Sequence, residues 1–394
     1  MKKVAIIFNG DLNDRKGYTN AVLERAKALI ARKEFSVDIF CLSQYDYCLV
    51  RLLRHTQRID RPSVVEIDGM QINILWYPFS LLDYLLSAKF HISKIVEPMI
   101  LKQLSSKLRG YDLISAHSFV PAMLALCIHK QYKTPYCVTW HGSDIHTEPF
   151  KNRSVYNASC ELMHQASCNM FVSRALQRIS KQIAPNTEGE VLYNAASSIF
   201  CRLAEKERNS LRNRYQSTEY KRIVAFAGGL VQVKNADLLP DIFNAIQQQH
   251  KEKIEFWVIG DGKLRTVIEG KLSQMPGVYC KLWGNQPVGE MPLLLNCTDV
   301  LVLPSKNEGL PLIVVEALQC GSNVVASDVG GIKEVLKEGN TVALGEDFVF
   351  RFATRVAEIL NSSEPHPAPS EQFNWQVTSK AESLVYQKIL KIKI

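Results

Sequence analysis

Short apolar runs alternate along this chain with longer stretches in which apolar residues return every third or fourth position. Lys3–Phe8 (KVAIIF), Phe35–Leu42, Tyr111–His117, the run that begins at Tyr136, Cys168–Ser173 and Val191–Asn194 are of the first kind. Ile223–Gly228, Phe256–Ile259, Val278–Gly284, Val300–Leu303 and Asn323–Ser327 repeat them further along. Runs of this length, bounded by turn residues, predict strands buried on both faces of a parallel sheet. Asn20 to Lys33, with apolar residues at three- and four-residue steps, predicts a helix between the first two. Strand and helix in steady alternation predict an α/β fold whose ligands sit beyond the carboxyl ends of the strands.

The runs come in two series. Between them Ser197–Arg222 is rich in Lys, Arg, Glu and Asn and poor in apolar anchors, which reads as a linker with a surface helix. A chain of 394 residues exceeds one comfortable core. Two domains are expected, 1–195 and 196–375. Pro365 to Pro369 forms a proline-rich break, after which Val377–Ile392 predicts a last helix whose Lys388, Lys391 and Lys393 suit the negative end of its dipole.

Composition narrows the class. Hydrophobic residues at 46% and charged residues at 22% are ordinary for a globular enzyme, and no apolar run reaches the length of a membrane span. At the start, Asn9, Asp11, Asn13, Asp14 and Arg15 interrupt the apolar run too early for a signal peptide, so a first strand is expected there. The ten cysteines show no C-x-x-C spacing and read as reduced thiols of a cytoplasmic protein, and no Cys or His spacing suggests a metal. A net charge of +8 favours anionic partners in general.

Candidate chemistry concentrates in PSKNEGLPLIVVEALQCGSNVVASDVGG, Pro304 to Gly331. After the strand at Val300, Pro311 fits the first turn of a helix and Gly321 the position just past its end. Gly309, Leu310, Leu312 and Ile313 would then lie at a helix N-terminus, where free N–H groups and the helix dipole receive a phosphate. Glu308 stands just before that helix and Glu316 in its second turn, so both can meet hydroxyls, which an ionised carboxylate accepts in pairs. Gly260-Asp261-Gly262 suggests a dinucleotide fingerprint only weakly, because Arg265 replaces its third glycine.

Glu308 and Glu316, with seven residues between them in this frame, closely resemble the E-x7-E signature of family 4 retaining glycosyltransferases. The resemblance implies the GT-B fold, two doubly wound Rossmann-like domains facing across a cleft. Residues 1–195, joined by the helix 376–394, would bind the acceptor, and 196–375 the nucleotide-sugar. It implies that Glu316 binds the ribose and that Glu308 contacts the transferred sugar, with His141 as a second catalytic residue. Gly17, Gly228, Lys234, Gly309, Leu310, Leu312 and Ile313 would face the donor. His117 and Asp144 fall on the acceptor side, in strand-end patterns that pair a histidine with a later His-Gly-x-Asp.

Two departures from the family pattern stand out. Gly229 occupies the place of an arginine opposite the diphosphate, and Asn194-Ala195-Ala196 replaces an Asn-Gly-Val turn. The implied activity is transfer of a sugar, with retention and no cofactor, from a nucleotide-diphosphate-sugar to a glycan or lipid-linked acceptor in cell-surface polysaccharide synthesis, with no nucleic acid partner. The loss at Gly229 motivates an alternative, a catalytically impaired sugar-nucleotide-binding protein of the same fold. An NAD-dependent oxidoreductase is the third reading, and the broken glycine fingerprint disfavours it. Residues 81–109 carry Lys89, Lys94, Lys102, Lys107 and Arg109 among apolar positions, against Asp83 and Glu97. Two explanations stand for them, helices packed on the core and a peripheral contact with the inner face of an anionic membrane.

Overall fold

Eight strands form the first sheet: β1 Lys3–Asn9, β2 Ser36–Asp46, β3 Val64–Ile67, β4 Met70–Phe79, β5 Leu113–His117, β6 Tyr136–Trp140, β7 Cys168–Phe171 and β8 Gly189–Val191. Their order is β3-β4-β2-β1-β5-β6-β7-β8. Every pairing is parallel except the β3/β4 hairpin at the edge. A second sheet is built from β9 Arg222–Ala227, β10 Ile254–Ile259, β11 Tyr279–Gly284, β12 Val300–Leu303, β13 Asn323–Ser327 and β14 Thr341–Val342. It is parallel throughout, in the order β11-β10-β9-β12-β13-β14. The computed structural model describes residues 1–12, 17–57, 59–79, 98–215, 219–336, 339–362 and 368–392.

The two sheets head two compact units, Met1–Asn194 with Trp375–Ile394, and Ala195–Asn374. This is the expected α/β architecture of two Rossmann-like sheets. β1, β5, β6, β9, β10 and β12 are buried along nearly their whole length, which is why they read as unbroken apolar runs. β12 and β13 have the expected bounds. The helix Glu205–Tyr215 has no buried residue, as its composition implied.

Other boundaries moved for identifiable reasons. β2 runs on through Ser43–Asp46 because β4 pairs with it as far as Asp46↔Phe79, a long-range contact that its polar side chains conceal. The β3/β4 hairpin was missed although its turn, Asp68-Gly69, has φ of 51° and 76°, the two-residue geometry this dipeptide favours. The strand expected at Val191–Asn194 ends at Val191. Past that point side chains take the carbonyls: Arg25 Nη2 donates to Leu192 O at 2.8 Å and Thr378 Oγ1 to Tyr193 O at 2.7 Å. Pro311 is the residue before the helix Leu312–Gln319, with an extended ψ of 114°, not a member of its first turn. Of the basic and apolar stretch 81–109, residues 81–97 lie outside the described residues; Pro98–Ser106 is helical. Lys16, Pro365 and Lys393 also lie outside them. All ten cysteines are free thiols, four of them buried.

The last helix, Trp375–Ile389, packs on the helix Gly17–Ala31 of the first unit. Tyr386 is fully buried there, edge-on to Phe35 with ring centroids 5.7 Å apart, and Gln387 Nε2 reaches Glu34 at 2.9 Å.

In the second unit the loops at the carboxyl ends of four adjacent strands are locked together by main-chain contacts. Gly228 N–H donates to Ile259 O at 2.9 Å, and Leu230 N–H to Asp261 O at 3.0 Å. Gly260, at φ +131°, lets these loops meet, since a Cβ there would stand 2.1 Å from Gly228 O. Gly260-Asp261 therefore serves loop packing. Gly330 does the same between the loops after β12 and β13. Its φ is +55°, and a Cβ would come within 1.8 Å of Glu308 O.

Gly330→Ala is accordingly expected to lower unfolding stability by at least about 1–2 kcal/mol from the left-handed conformation alone, with the clash added. Gly229→Ala, whose Cβ would meet nothing nearer than Val231 Cγ2 at 3.9 Å, should change stability little. Urea unfolding of the two variants checks this, and equal midpoints would show that the Glu308 loop gives way without cost.

Candidate active site

Among the parallel strands of each sheet the order reverses once, between β1 and β5 in the first and between β9 and β12 in the second. Neighbouring loops leave in opposite directions at such a point and open a crevice at the strand ends. The sequence-predicted residues fall at these two places.

In the second unit, Lys234 follows β9 in a short 3-10 turn, Gln232–Lys234, and Glu308 follows β12. Lys234 Nζ lies 2.5 Å from Glu308 Oε1, and Ser305 Oγ donates to the same oxygen at 2.7 Å. Backbone bonds hold the loops that carry them. Lys306 N–H donates to Val233 O at 2.8 Å, Asn235 Nδ2 to Pro304 O at 2.9 Å, and Gly331 N–H to Gly309 O at 3.0 Å. Glu308 is only 8% exposed, so its charge depends on these partners.

The helix Leu312–Gln319 begins beside Glu308 with no side-chain cap, since Pro311 offers none. Its first N–H groups, among them those of Leu312 and Ile313, have no partner within the helix. Leu310 is buried just before them. The far end closes on Gly321, at φ +83°, whose N–H bonds Leu318 O while Ser322 N–H bonds Ala317 O, so the chain leaves the helix in a left-handed turn.

Glu316 stands one turn into this helix and differs sharply from Glu308. It is half-buried, and its carboxyl makes no hydrogen bond or ion pair with a described residue. Burial pushes its carboxyl from the ordinary 4.5 up to about 8. The two acids therefore differ in surroundings: Glu308 is held by a lysine and a serine, while Glu316 is hard to ionise without a donor.

Gly228 lies at the end of β9, and Gly229 follows it with open space around it.

In the first unit, Gly17 is the first residue of the helix Gly17–Ala31, and a Cβ there would touch nothing within 4 Å. His117 ends β5 and is fully buried; His141 follows β6 and is half-buried. The two rings meet, His117 Nδ1 lying 3.1 Å from His141 Nε2. Tyr18 packs edge-on against His141 at 4.8 Å between centroids, and its hydroxyl donates to His117 O at 2.8 Å. Burial holds both histidines well below the usual 6.5, with the charge of Arg25 adding to the effect. Asp144 proves to be a backbone acceptor. Its carboxylate takes Gly142 N–H at 2.7 Å and His141 N–H at 3.2 Å, which fixes the turn that carries the ring.

Sequence reasoning missed Tyr18, Arg25 and the spacer role of Gly330, which act through contacts distant in the chain, and Ser305, which bonds Glu308 three residues on. It also missed a cavity of about 560 Å3 at the carboxyl ends of β2 and β4, lined by Tyr45, Tyr47, Arg51, Arg54 and Arg61 among others. Arg61 lies over the Tyr45 ring at 4.3 Å, and Arg54 is paired with Asp46 at 2.9 Å. Among the described residues no three His, Cys, Asp or Glu side chains are grouped as metal ligands, and no helix is long and apolar enough to cross a membrane.

Comparison with known proteins bears on these two places. The family model described as glycosyl transferases group 1 matches residues 207–372, which hold Lys234, Glu308 and Glu316. The putative teichuronic acid biosynthesis glycosyltransferase TuaC of Bacillus subtilis is 23% identical over 369 residues, covering 91% of each chain. Among solved structures, sucrose-phosphate synthase from Thermosynechococcus elongatus superposes with a TM-score of 0.76 at 17% identity over 100% of both chains. Anabaena HepE, solved in complex with UDP and glucose, gives 0.68 at 18% identity over 98% of this chain and 97% of its own. These likenesses show the α/β fold of two Rossmann-like domains found in GT-B glycosyltransferases. Residues 207–372 form a glycosyl transferases group 1 domain, and the chain that carries it is a glycosyltransferase.

Proposed function

We propose that this enzyme is a retaining glycosyltransferase of family 4 that moves a sugar from a nucleotide-diphosphate donor to a glycan or lipid-linked acceptor in cell-surface polysaccharide synthesis. The observation that carries the reading is the contrast between Glu308, ion-paired with Lys234, and Glu316, unpartnered one turn into an uncapped helix. Residues 195–374 hold the donor in this reading, and residues 1–194 with the C-terminal helix hold the acceptor.

Each group then has one task. The diphosphate lies against the N–H groups of Gly309 to Ile313 and draws the Lys234 ammonium toward itself. Glu308 is thereby released to accept a hydroxyl of the sugar being transferred. Glu316 takes the ribose hydroxyls and ionises as it does so. As the bond to the anomeric carbon breaks, negative charge grows on the departing phosphate, and Lys234 and the helix start stabilise it. That phosphate takes the proton of the acceptor hydroxyl as the new bond forms on the same face. UDP is the first nucleotide to test, since HepE was solved with it, and the likeness to TuaC supports an acceptor in cell-surface glycan assembly.

A second reading, a sugar-nucleotide binder that has lost turnover, rests on Gly229, which stands where the family pattern noted above has an arginine. Release of sugar from donor in the presence of saturating nucleotide-sugar supports the enzyme, and donor binding without release supports the binder.

A thermal-shift series with UDP, GDP and ADP identifies the nucleotide, because a ligand at 100 times its Kd stabilises by about 2.7 kcal/mol. Glu316→Ala should then weaken nucleotide binding by about 1.5–3 kcal/mol, and Glu308→Ala should chiefly lower turnover. Calorimetry that finds nucleotide affinity unchanged in folded Glu316→Ala removes the ribose role.

pH tests the role of Glu316. Glu316 is protonated in the free enzyme up to about pH 8 and must ionise to accept two hydroxyls, so nucleotide affinity should rise from pH 6 to 8. Folding shows the opposite slope. The native state holds this proton between about pH 4.5 and 8 while the unfolded chain does not, so stability falls as pH rises through that window. Glu316→Gln should flatten both slopes, measured by calorimetry and by urea unfolding against the wild type.

Gly229→Arg should tighten donor binding, because the position has room and the new guanidinium would face the diphosphate. Weaker binding in a titration of this variant would show that another cation already fills that place.

A further inference from the structure

Arg25 is a fully buried cation in the first unit, and no step of the proposed reaction uses it. Its Nε lies 3.4 Å from Glu382 Oε2 on the C-terminal helix, and both side chains are sealed from solvent. Nη2 donates to Leu192 O at 2.8 Å, and Nη1 lies 3.4 Å from Thr139 Oγ1. Thr139 is the cross-strand partner of His117, so the two side chains leave the sheet on the same face. The guanidinium therefore stands beside the His117–His141 pair.

That pair shares one hydrogen bond, and its direction is a question of charge. His117 Nε2 is buried and has no partner among the described residues. If His141 Nε2–H donated to His117 Nδ1, His117 would carry its own proton on Nε2, a buried and unpaired N–H in the field of a cation. In the other tautomer His117 Nδ1–H donates to His141 Nε2 and leaves a lone pair on His117 Nε2. The positive charge of Arg25 favours that lone pair. His141 must then carry its proton on Nδ1, which has no partner among the described residues. Among the described residues, the other charged or titratable groups that face the pair include Tyr18 on the first helix, Asp144 in the His141 turn, and Glu382 behind Arg25. Burial and the Arg25 charge both oppose protonation of either ring.

We propose that Arg25, anchored by Glu382, is a positioning residue that fixes His117 and His141 as a neutral pair in which His117 donates and His141 presents Nδ1–H. His141 is thereby a hydrogen-bond donor to a ligand oxygen and not a base. The ligand role rests on the transferase reading above, but the tautomer does not, so a spectrum decides the inference whether or not any donor is turned over.

The experiment is long-range proton–nitrogen correlation on the full chain labelled with 15N-histidine, from pH 6 to 8. His117→Gln and His141→Gln identify the two signals among nine histidines. His141 is expected as the Nδ1–H tautomer, with neither ring titrating in this range. An Nε2–H tautomer at His141, or a titration near 6.5, overturns the proposal, and this wild-type spectrum needs no variant to fold.

Arg25→Met combined with Glu382→Gln removes both buried charges together. The pair should then titrate at least one pH unit higher and show both tautomers. Arg25→Lys, which keeps the cation, should restore the single tautomer. A spectrum unchanged in the folded double variant takes the role away from Arg25.

Discussion

The ion pair between Lys234 and Glu308 joins the ends of β9 and β12, neighbours on either side of the point where the second sheet reverses its strand order. Much of the ligand end of this unit depends on it. Glu308 is nearly sealed from water, and a carboxylate in that position needs a partner more than an exposed one does. Lys234 supplies the charge, Ser305 a second donor, and Gly330 the close approach that keeps the loop from lifting. Any anion that draws Lys234 away must compete with this pair. In the proposed reaction a bound diphosphate and a liberated Glu308 are two sides of one event, so donor binding would ready the loop.

Environment, and not residue type, separates the two acids. Glu308 has a cation and a hydroxyl against its carboxylate, while Glu316 has only burial, which raises its carboxyl to about 8. A carboxyl that resists ionisation until a ligand offers hydroxyls discriminates against ligands that lack them, because only paired donors repay its desolvation. The free N–H groups of the next helix turn attract anions and would otherwise accept any phosphate. In the proposed reading Glu316 adds the demand for a polyol beside it.

The sequence was most legible where burial is two-sided and local. β12 and β13 were readable to the residue because every side chain in them but that of Asn323 is buried and turn residues bound them. The spacing of Glu308 and Glu316 was readable for a related reason, since strand, glycine, proline and helix all lie in one stretch. Partners distant in the chain were not. Lys234 meets Glu308 across 74 positions and Arg25 meets Leu192 across 167, and nothing local announces either. Gly260-Asp261-Gly262 is the opposite case, its spacing only a weak match to a dinucleotide motif and Gly260 making room for another loop. The Asp68-Gly69 hairpin was legible and overlooked.

Arg25 and Glu382 raise the question of why a core should contain charges at all. Replacing a buried ion pair by apolar side chains of similar volume is often neutral or stabilising, so packing alone gives this pair no advantage. The helix Trp375–Ile389 could dock through Tyr386 and its neighbours without it. What an apolar pair could not supply is a field at His117 and His141, or a donor for Leu192 O where β8 ends. The C-terminal helix, far from the site in sequence, thereby acts on it through one carboxylate and one guanidinium. A chain that returns to its first unit to place that carboxylate is using its last helix for electrostatics as well as for burial.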